Sequence, residues 1–247
     1  MKQGLDFEGL SAVVTGAGSG IGFATAQMLK ERGAKVYGLD LQEGELSGTA
    51  IFIKCDIGNT ESVKNAFAQI PSLDILINNA GIGASGTVET SPDEEWLSVF
   101  NVNVFGIART SRAALPLLRK SKVAAIVNTC SVAATAGIPK RAIYSASKGA
   151  VLSLTLAMAN DHLVDHIRVN CVNPGTADTP WVGRLLSQSA DAVAERKALE
   201  ARQPMGRLVS ADEVASAICY LASPMQASTT GTSLTVDGGL QGLRIPK

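Results

Sequence analysis

The sequence predicts a single α/β domain built on a doubly wound, parallel, seven-stranded sheet, and three observations predict it. Seven short runs rich in β-branched residues alternate with longer stretches of helical composition. Most of those runs are apolar on both faces, as strands of a sheet covered on both sides must be. No linker, low-complexity tract or internal repeat breaks the alternation across 247 residues. Right-handed strand–helix–strand crossovers along one sheet then account for the whole chain.

The expected strands, in order, are Leu10–Thr15, Lys35–Asp40, Ala50–Cys55, Leu73–Asn78, Val123–Thr129, Ile167–Val172 and Ser233–Val236. The expected helices are Gly20–Arg32, Thr60–Gln69, Asp93–Leu118, Ala142–His162 and Ala211–Ala222. One connection breaks the short-loop rule. Pro174 to Leu208 separates the sixth strand from the last long helix, and loops of that length in compact domains tend to be functional. It also leaves the carboxyl end of a strand, where open α/β sheets bind ligands. The expectation is a lid over a substrate, 174–208, within one catalytic domain, 1–247.

Composition narrows the function. Hydrophobic residues make up 46% of the chain, enough for a large core, and 22 basic residues balance 22 acidic ones. With no block of like charge, a nucleic-acid or anionic-membrane partner is not expected. A small acidic substrate remains open, because a local arginine pocket need not alter the total. Cys55, Cys130, Cys171 and Cys219 are scattered and form no C-x-x-C pair, which reads as reduced thiols of a cytoplasmic protein. Met1–Gly9 is polar and carries Asp6 and Glu8, so no signal peptide is expected. No apolar run approaches the roughly 20 residues of a membrane span.

The first strand runs directly into Gly16-Ala17-Gly18-Ser19-Gly20-Ile21-Gly22 and then a helix. Glycines there let the backbone turn tightly and approach a pyrophosphate, while the helix N-terminus offers amides and the positive end of its dipole. The spacing is Gly-x-x-x-Gly-x-Gly rather than G-x-G-x-x-G. Alone it reads equally as a turn; its place between strand and helix points to a dinucleotide. The second strand ends at Asp40, where a carboxylate accepts both ribose hydroxyls of an adenosine and repels a 2′-phosphate. Ala17, Ser19 and Leu41 supply no cation for such a phosphate. NAD rather than NADP follows, with a solvated strand-end Asp as the alternative. Asp56 closes the third strand, in reach of an adenine amino group. Asn78-Asn79-Ala80-Gly81 closes the fourth with small residues that let backbone lie against a cofactor; either segment alone also reads as turn chemistry.

Tyr144 and Lys148 lie four residues apart on an expected helix and share one face. A phenol titrates near 10, so proton exchange with an alcohol at neutral pH calls for a nearby cation that favours the phenolate. Ser131 ends the fifth strand at the same edge, where its hydroxyl can hold the alcohol oxygen. Asn103 interrupts an apolar helix, and a buried amide there needs partners. It either bonds backbone or holds a water that links Lys148 to solvent. Asn101 competes for that role, and Asn103 is preferred.

These pieces resemble the short-chain dehydrogenase/reductase family over essentially the whole chain. The matching segments are TGAGSGIG (Thr15–Gly22), Asp40, NNAG (Asn78–Gly81), the NVNVFG asparagine, Ser131, YSASK (Tyr144–Lys148), NPG (Asn173–Gly175) and VDGG (Val236–Gly239). The resemblance implies a Rossmann-type fold and a catalytic tetrad of Asn103, Ser131, Tyr144 and Lys148. Lys148 would also bond the nicotinamide ribose, and Thr179 would lie near the carboxamide. The expected NAD contacts are Gly16, Ser19, Gly20, Ile21, Gly22, Asp40, Leu41, Asp56, Ile57, Asn79, Ala80, Gly81, Tyr144, Lys148, Pro174, Gly175, Thr176 and Thr179. Helices Asp93–Leu118 and Ala142–His162 are apolar on more than one side. The resemblance implies pairing through them, commonly as a homotetramer.

The lid carries Arg184, Arg196, Lys197, Arg202 and Arg207, and Arg141 precedes Tyr144 by three residues. A guanidinium can hold a carboxylate through charge-assisted bonds, although any one lid arginine reads equally as solvated or paired with Glu195 or Glu200. Arg141, the segment Arg202–Arg207 and PGTADTP (Pro174–Pro180) are similar to a subgroup acting on small hydroxy or keto acids. That subgroup includes 2-keto-3-deoxy sugar-acid 4-dehydrogenases and cytosolic-type 3-hydroxybutyrate dehydrogenases. It implies substrate contacts from Ser131, Tyr144, Arg141 and Arg202. Arg184 corresponds only approximately, because the segment after Pro180 is one residue shorter. The expected reaction is NAD-dependent oxidation of a secondary alcohol on a small hydroxy acid, of the 2-keto-3-deoxy-L-fuconate or L-rhamnonate type. A neutral aldose dehydrogenase is the nearest rival. A non-catalytic NAD-binding regulator is set against by the intact tetrad, and an acyl-carrier ketoreductase by Asp40 and the neutral charge. His162-Leu163-Val164-Asp165-His166 looks like a zinc motif with Asp for Glu, but it ends a helix away from the cofactor edge, and no metal is expected.

Overall fold

The computed structural model describes residues 5–187, 189 and 191–244, without the side chains of residues 184 and 185. Among these, the strands are β1 (Ser11–Thr15), β2 (Lys35–Asp40), β3 (Ile51–Lys54), β4 (Ile75–Asn78), β5 (Ala125–Thr129), β6 (Arg168–Pro174), β7 (Ala177–Asp178), β8 (Val209–Ser210) and β9 (Ser233–Val236). The α-helices are α1 (Gly20–Glu31), α2 (Thr60–Phe67), α3 (Asp93–Phe100), α4 (Gly106–Leu118), α5 (Ala142–Asp161), α6 (Pro180–Ser187), α7 (Ala192–Ala201) and α8 (Ala211–Ala222). Seven strands form one parallel sheet in the order β3-β2-β1-β4-β5-β6-β9, with registers such as Val13 opposite Tyr37 and Ile77 opposite Val127.

The two-sided apolar pattern of the strands finds its reason in the two cores. Val13 and Leu76 face Val63, Phe67, Leu118 and Met158, contributed by α2, α4 and α5. Their neighbours Ala12, Val14, Ile75 and Ile77 face Ala26, Leu29, Val214 and Ile218, contributed by α1 and α8. Each fully buried Leu or Ile side chain contributes about 1.5–3 kcal/mol from water exclusion. The chain lays β2 and β3 on one side of β1, then returns to place β4 on the other. Connections diverge at that reversal and leave a crevice at the strand carboxyl ends.

Three expectations change. The single helix over Asp93–Leu118 is interrupted by a π-helical stretch, Asn101–Phe105. The wider turn lets the Asn103 amide reach the backbone of Ile82, a bonding gain that compensates for the poorer helical geometry. The segment 174–208 is not an open loop. Its ends are tied by the parallel pair β7–β8, Ala177 opposite Val209 and Asp178 opposite Ser210. Between them α6 and α7 pack Val182, Leu199 and Leu208 with Leu186 into a small core of their own. Finally, α5 is long and apolar enough by composition to cross a membrane, with a mean hydropathy of 1.2. Here Ile143, Val151, Met158 and Ala159 are buried within the fold.

His162 sits at the C-terminal end of α5 and bonds Asp165 through Nδ1 at 3.0 Å, while Arg119 holds the same carboxylate at 3.1 Å. Those two partners keep the Asp165 carboxyl below its ordinary pKa. All four cysteines are buried thiols.

Candidate active site

A cavity of about 460 Å³ opens at the carboxyl ends of the central strands. Its wall brings together Gly16, Ser19, Gly20, Ile21, Asp40, Leu41, Asp56, Ile57, Asn79, Ala80, Gly81, Ser131, Arg141, Tyr144, Lys148, Pro174, Gly175, Thr176, Thr179 and Arg202. Two expected residues stand behind the wall instead. At Gly22 a Cβ would collide with the carbonyl of Gly16, so this glycine lets helix and strand approach. Asn103 is buried beneath Gly81. The side chain of Arg184 lies outside the described residues.

The glycine-rich end has the features of an anion cradle. Gly16 adopts φ +64°, and a side chain there would also meet the Ala80 Cα at 2.8 Å, so only glycine serves. Ser19 occupies the N-cap position of α1 but its side chain makes no capping bond, and the first turn of α1 holds no acidic residue. By contrast α2, α7 and α8 are capped by Asn59, Asp191 and Ser210. The first amides of α1 are therefore left for another acceptor, and a pyrophosphate suits them. Asp40 is fixed at the end of β2: Oδ2 accepts from the Gly18 amide at 2.9 Å and Oδ1 from the Leu41 amide at 2.7 Å. Among the described residues, the cations on the wall are Arg141, Lys148 and Arg202, none of them beside Asp40 in the chain. Thr15 Oγ1 accepts from the amides of Asn79 and Ala80, both at 3.0 Å, which locks the ends of β1 and β4 together.

At the other end, Ser131 follows β5, and its Oγ accepts from the Ala133 amide at 3.1 Å. Tyr144 stands in the first turn of α5. Lys148 follows one turn later, with Nζ 5.7 Å from the centre of the Tyr144 ring. Lys148 is buried, and its ammonium donates to the Thr129 carbonyl at 2.8 Å. An ammonium carries three protons, and among the described residues no other hydrogen bond from Nζ is made. Beneath Ser131, Cys130 donates to the Lys148 carbonyl at 3.1 Å. A hydrogen bond with Cys171, together with burial, pushes the Cys130 thiol well above its ordinary range.

The two candidate asparagines separate. Asn103 Nδ2 donates to Ile82 O at 2.9 Å and to Ser147 Oγ at 3.1 Å, and Oδ1 accepts from Ile82 N at 2.8 Å. Asn101 points the other way and donates to Gly58 O at 3.1 Å.

The arginines separate as well. Arg196 pairs with Asp178 at 2.6 Å and Glu200 at 3.0 Å, and Arg207 pairs with Glu213 at 2.7 Å. That pair and the Ser210 amide lower the Glu213 carboxyl to about 2. Arg141 and Arg202 line the cavity, and among the described residues no carboxylate forms an ion pair with either. Arg141 donates to Ala84 O at 2.9 Å and Ser85 Oγ at 2.8 Å. Burial lowers its pKa; the charge of Arg202 acts in the same direction, and Tyr144 and Glu195 act against it. Trp181 was not foreseen. Its ring lies 5.6 Å from the Arg141 guanidinium and against Gly83, and it joins Ile138 and Leu199 on the wall. Its position next to Pro180, at the start of a lid helix, is the one signal that could have pointed to it.

The chain is similar to known proteins over nearly its whole length. Residues 16–241 match the family described as enoyl-(acyl carrier protein) reductase. A cis-4-hydroxycyclohexanecarboxylate dehydrogenase of Sinomonas cyclohexanicum is 39% identical over 242 residues, spanning 92% of this chain and 95% of that protein. The ligand-free aldohexose dehydrogenase of Thermoplasma acidophilum is similar at a TM-score of 0.91 and 34% identity, covering 98% of this chain and 99% of that one. A 3-ketoacyl-(acyl-carrier-protein) reductase from Brucella melitensis, complexed with NADH, has a TM-score of 0.84 at 33% identity, covering 95% and 99%. Alike in sequence and fold over nearly its whole length, the chain belongs to the short-chain dehydrogenase/reductase family, nicotinamide-dependent oxidoreductases that act on CH–OH groups.

Proposed function

We propose that this chain oxidises the secondary alcohol of a small hydroxy acid with NAD, and that the acid is a 2-keto-3-deoxy sugar acid of the fuconate or rhamnonate type. The observation that carries the acid is the pair Arg141 and Arg202, two cations on the same cavity wall as Tyr144 that form no ion pair with a carboxylate among the described residues, the Glu195 charge acting on Arg141 only from beyond contact distance. An anion held there gains charge-assisted bonds of roughly 1.5–3 kcal/mol each. The hydroxycyclohexanecarboxylate dehydrogenase among the relatives supports an acid, while the aldohexose dehydrogenase keeps a neutral sugar as the rival.

When bound, NAD supplies the hydride acceptor. The cradle of Gly16, Ser19, Gly20 and Ile21 takes its pyrophosphate, and Asp40 takes the adenosine ribose, where a 2′-phosphate would meet a fixed carboxylate and no cation. Leu41, Asp56 and Ile57 flank the adenine. Asn79, Ala80, Gly81, Pro174, Gly175, Thr176 and Thr179 line the nicotinamide half. Ser131 Oγ holds the alcohol oxygen, and Tyr144 Oη takes its proton. The Lys148 side chain stands beside the phenol ring, with Nζ 5.7 Å from its centre, and bonds the nicotinamide ribose. Asn103 Oδ1 and Lys148 Nζ lie 3.2 Å and 3.7 Å from the space a Gly81 side chain would fill. One water beside Gly81 would join them and carry the proton outward. The segment 174–208 serves as the lid. Association through the Asp93–Leu118 helical run and α5, commonly a tetramer in this family, fits Phe105 and Leu156, each about half exposed at 52% and 50%.

NAD and NADP reduction measured across 2-keto-3-deoxy sugar acids, 3-hydroxybutyrate, their amides and neutral aldoses tests the reading. Acids are expected to be preferred with NAD. Arg202→Ala is expected to raise KM for the acid about tenfold, the loss of one charge-assisted bond, and to leave the amide unchanged. Equal turnover of neutral aldoses, or an unmoved KM, overturns the acid; no turnover at all returns the chain to a binding role.

A further inference from the structure

Asn101, which shares its motif with Asn103, has a different task. It opens the π-helical stretch and faces the loop after β3, whose Asp56 and Ile57 line the cavity. Three interlocks join loop and stretch. Arg109, one turn into α4, donates through Nη1 to Ile57 O at 3.2 Å and to Asn101 O at 3.0 Å, and through Nη2 to Asn101 Oδ1 at 2.7 Å. Asn101 Nδ2 returns a bond to Gly58 O at 3.1 Å, and a Cβ on Gly58 would sit 3.0 Å from that nitrogen. The Ile57 side chain rests on Gly106, where a Cβ would meet its Cδ1 at 2.6 Å. Among the described residues Arg109 forms no ion pair, so its donors serve this junction and Thr60 Oγ1 at 3.2 Å.

We propose that Asn101 and Arg109 are positioning residues that clamp the Asp56–Gly58 loop onto the π-helical stretch carrying Asn103. This rests on the reading of the Asp40–Asp56 end as the adenosine site. The physical consequence is a rigid connection across the cavity. The loop that flanks adenine cannot shift without moving carbonyls bonded to Arg109 and Asn101, and two residues later Asn103 grips Ile82 at the reacting end. An adenosine seated against the loop therefore meets a preformed wall, and the stretch under Gly81 is held at the same time. Preformed walls raise affinity because less order is lost on binding.

Arg109→Met and Asn101→Ala, each of which removes the charge-assisted bond between the two side chains, test the clamp from its two sides, with Arg109→Lys as the conservative variant. Calorimetry with ADP-ribose is expected to show about tenfold weaker binding for both disruptive variants, the loss of one charge-assisted bond, with partial recovery in the lysine variant. Nicotinamide mononucleotide, which lacks the adenosine half, is expected to keep its affinity. Unchanged ADP-ribose binding, or equal loss for the mononucleotide, overturns the proposal; so does failure of both variants to fold, since the junction would then be core rather than clamp. If the unaltered protein prefers the 2′-phosphorylated ADP-ribose, the NAD reading fails, and the same comparison with that ligand still decides the clamp.

Discussion

The two ends of the cavity are built by different means. The glycine-rich end is made of strand termini, each held by the parallel ladder and by backbone bonds, such as the Thr15 hydroxyl joining β1 to β4 and the amides gripping Asp40. The other end is closed by α6 and α7, which rest on a core of Val182, Leu199 and Leu208 with Leu186. One end inherits the stability of the whole sheet; the other stands on a few contacts and is expected to open at lower cost. The contrast teaches a division of labour. On the proposed function, backbone geometry would receive the group the family shares, and side chains of the 174–208 segment would choose the substrate.

The largest effect is expected where the ends meet. Tyr144→Phe should lower kcat about a thousandfold, in the range of lost general acid–base catalysis, with NAD affinity within about twofold on the same grounds; steady-state rates and titration check both. Activity above a tenth of the original would remove Tyr144 from the reaction. A smaller effect should stay at the glycine-rich end. Asp40→Ser should raise the NADP-to-NAD ratio of kcat/KM about a hundredfold, the scale of a like-charge contact worth a few kcal/mol, while KM for the alcohol holds. A shift in the alcohol KM instead would mean that the two ends do not act separately. Smallest is the lid. Leu199→Ala removes about 2–5 kcal/mol of packing, yet it should move the global Tm less than Ile126→Ala in the sheet core. Faster hydrogen exchange should be confined to α6 and α7, with a severalfold rise in substrate KM. Equal falls in Tm would make the lid part of the main core.

How far the site was legible depended on range. Gly16–Gly22, Asp40, Tyr144 and Lys148 were readable because each signal is local: a turn that tolerates positive φ, a carboxylate at a strand end, one helical turn between phenol and ammonium. The arginines were not. Arg196 and Arg207 looked no different from Arg141 and Arg202, and only their contacts separate them. Arg196 and Arg207 are spent on Asp178, Glu200 and Glu213, while no carboxylate pairs with the other two among the described residues. Asn101 and Asn103 divided for the same reason. A continuous helix was the reasonable expectation from composition, and the π-helical turn depends on Ile82, about twenty residues earlier, offering both of its backbone groups to Asn103.

By itself the sequence determined the layered parallel sheet, since strands apolar on both faces that alternate with helices need cover on both sides, and with it the edge at which the candidate site lies. Only the tertiary structure decided which polar side chains are spent on the fold and which are left to act. That choice depends on partners far apart in the chain, such as Arg109 with Ile57, Trp181 with Arg141 and Lys148 with Thr129. Hydrogen bonds and ion pairs act over a few ångströms of space, and no local pattern records which distant residues will be brought that close.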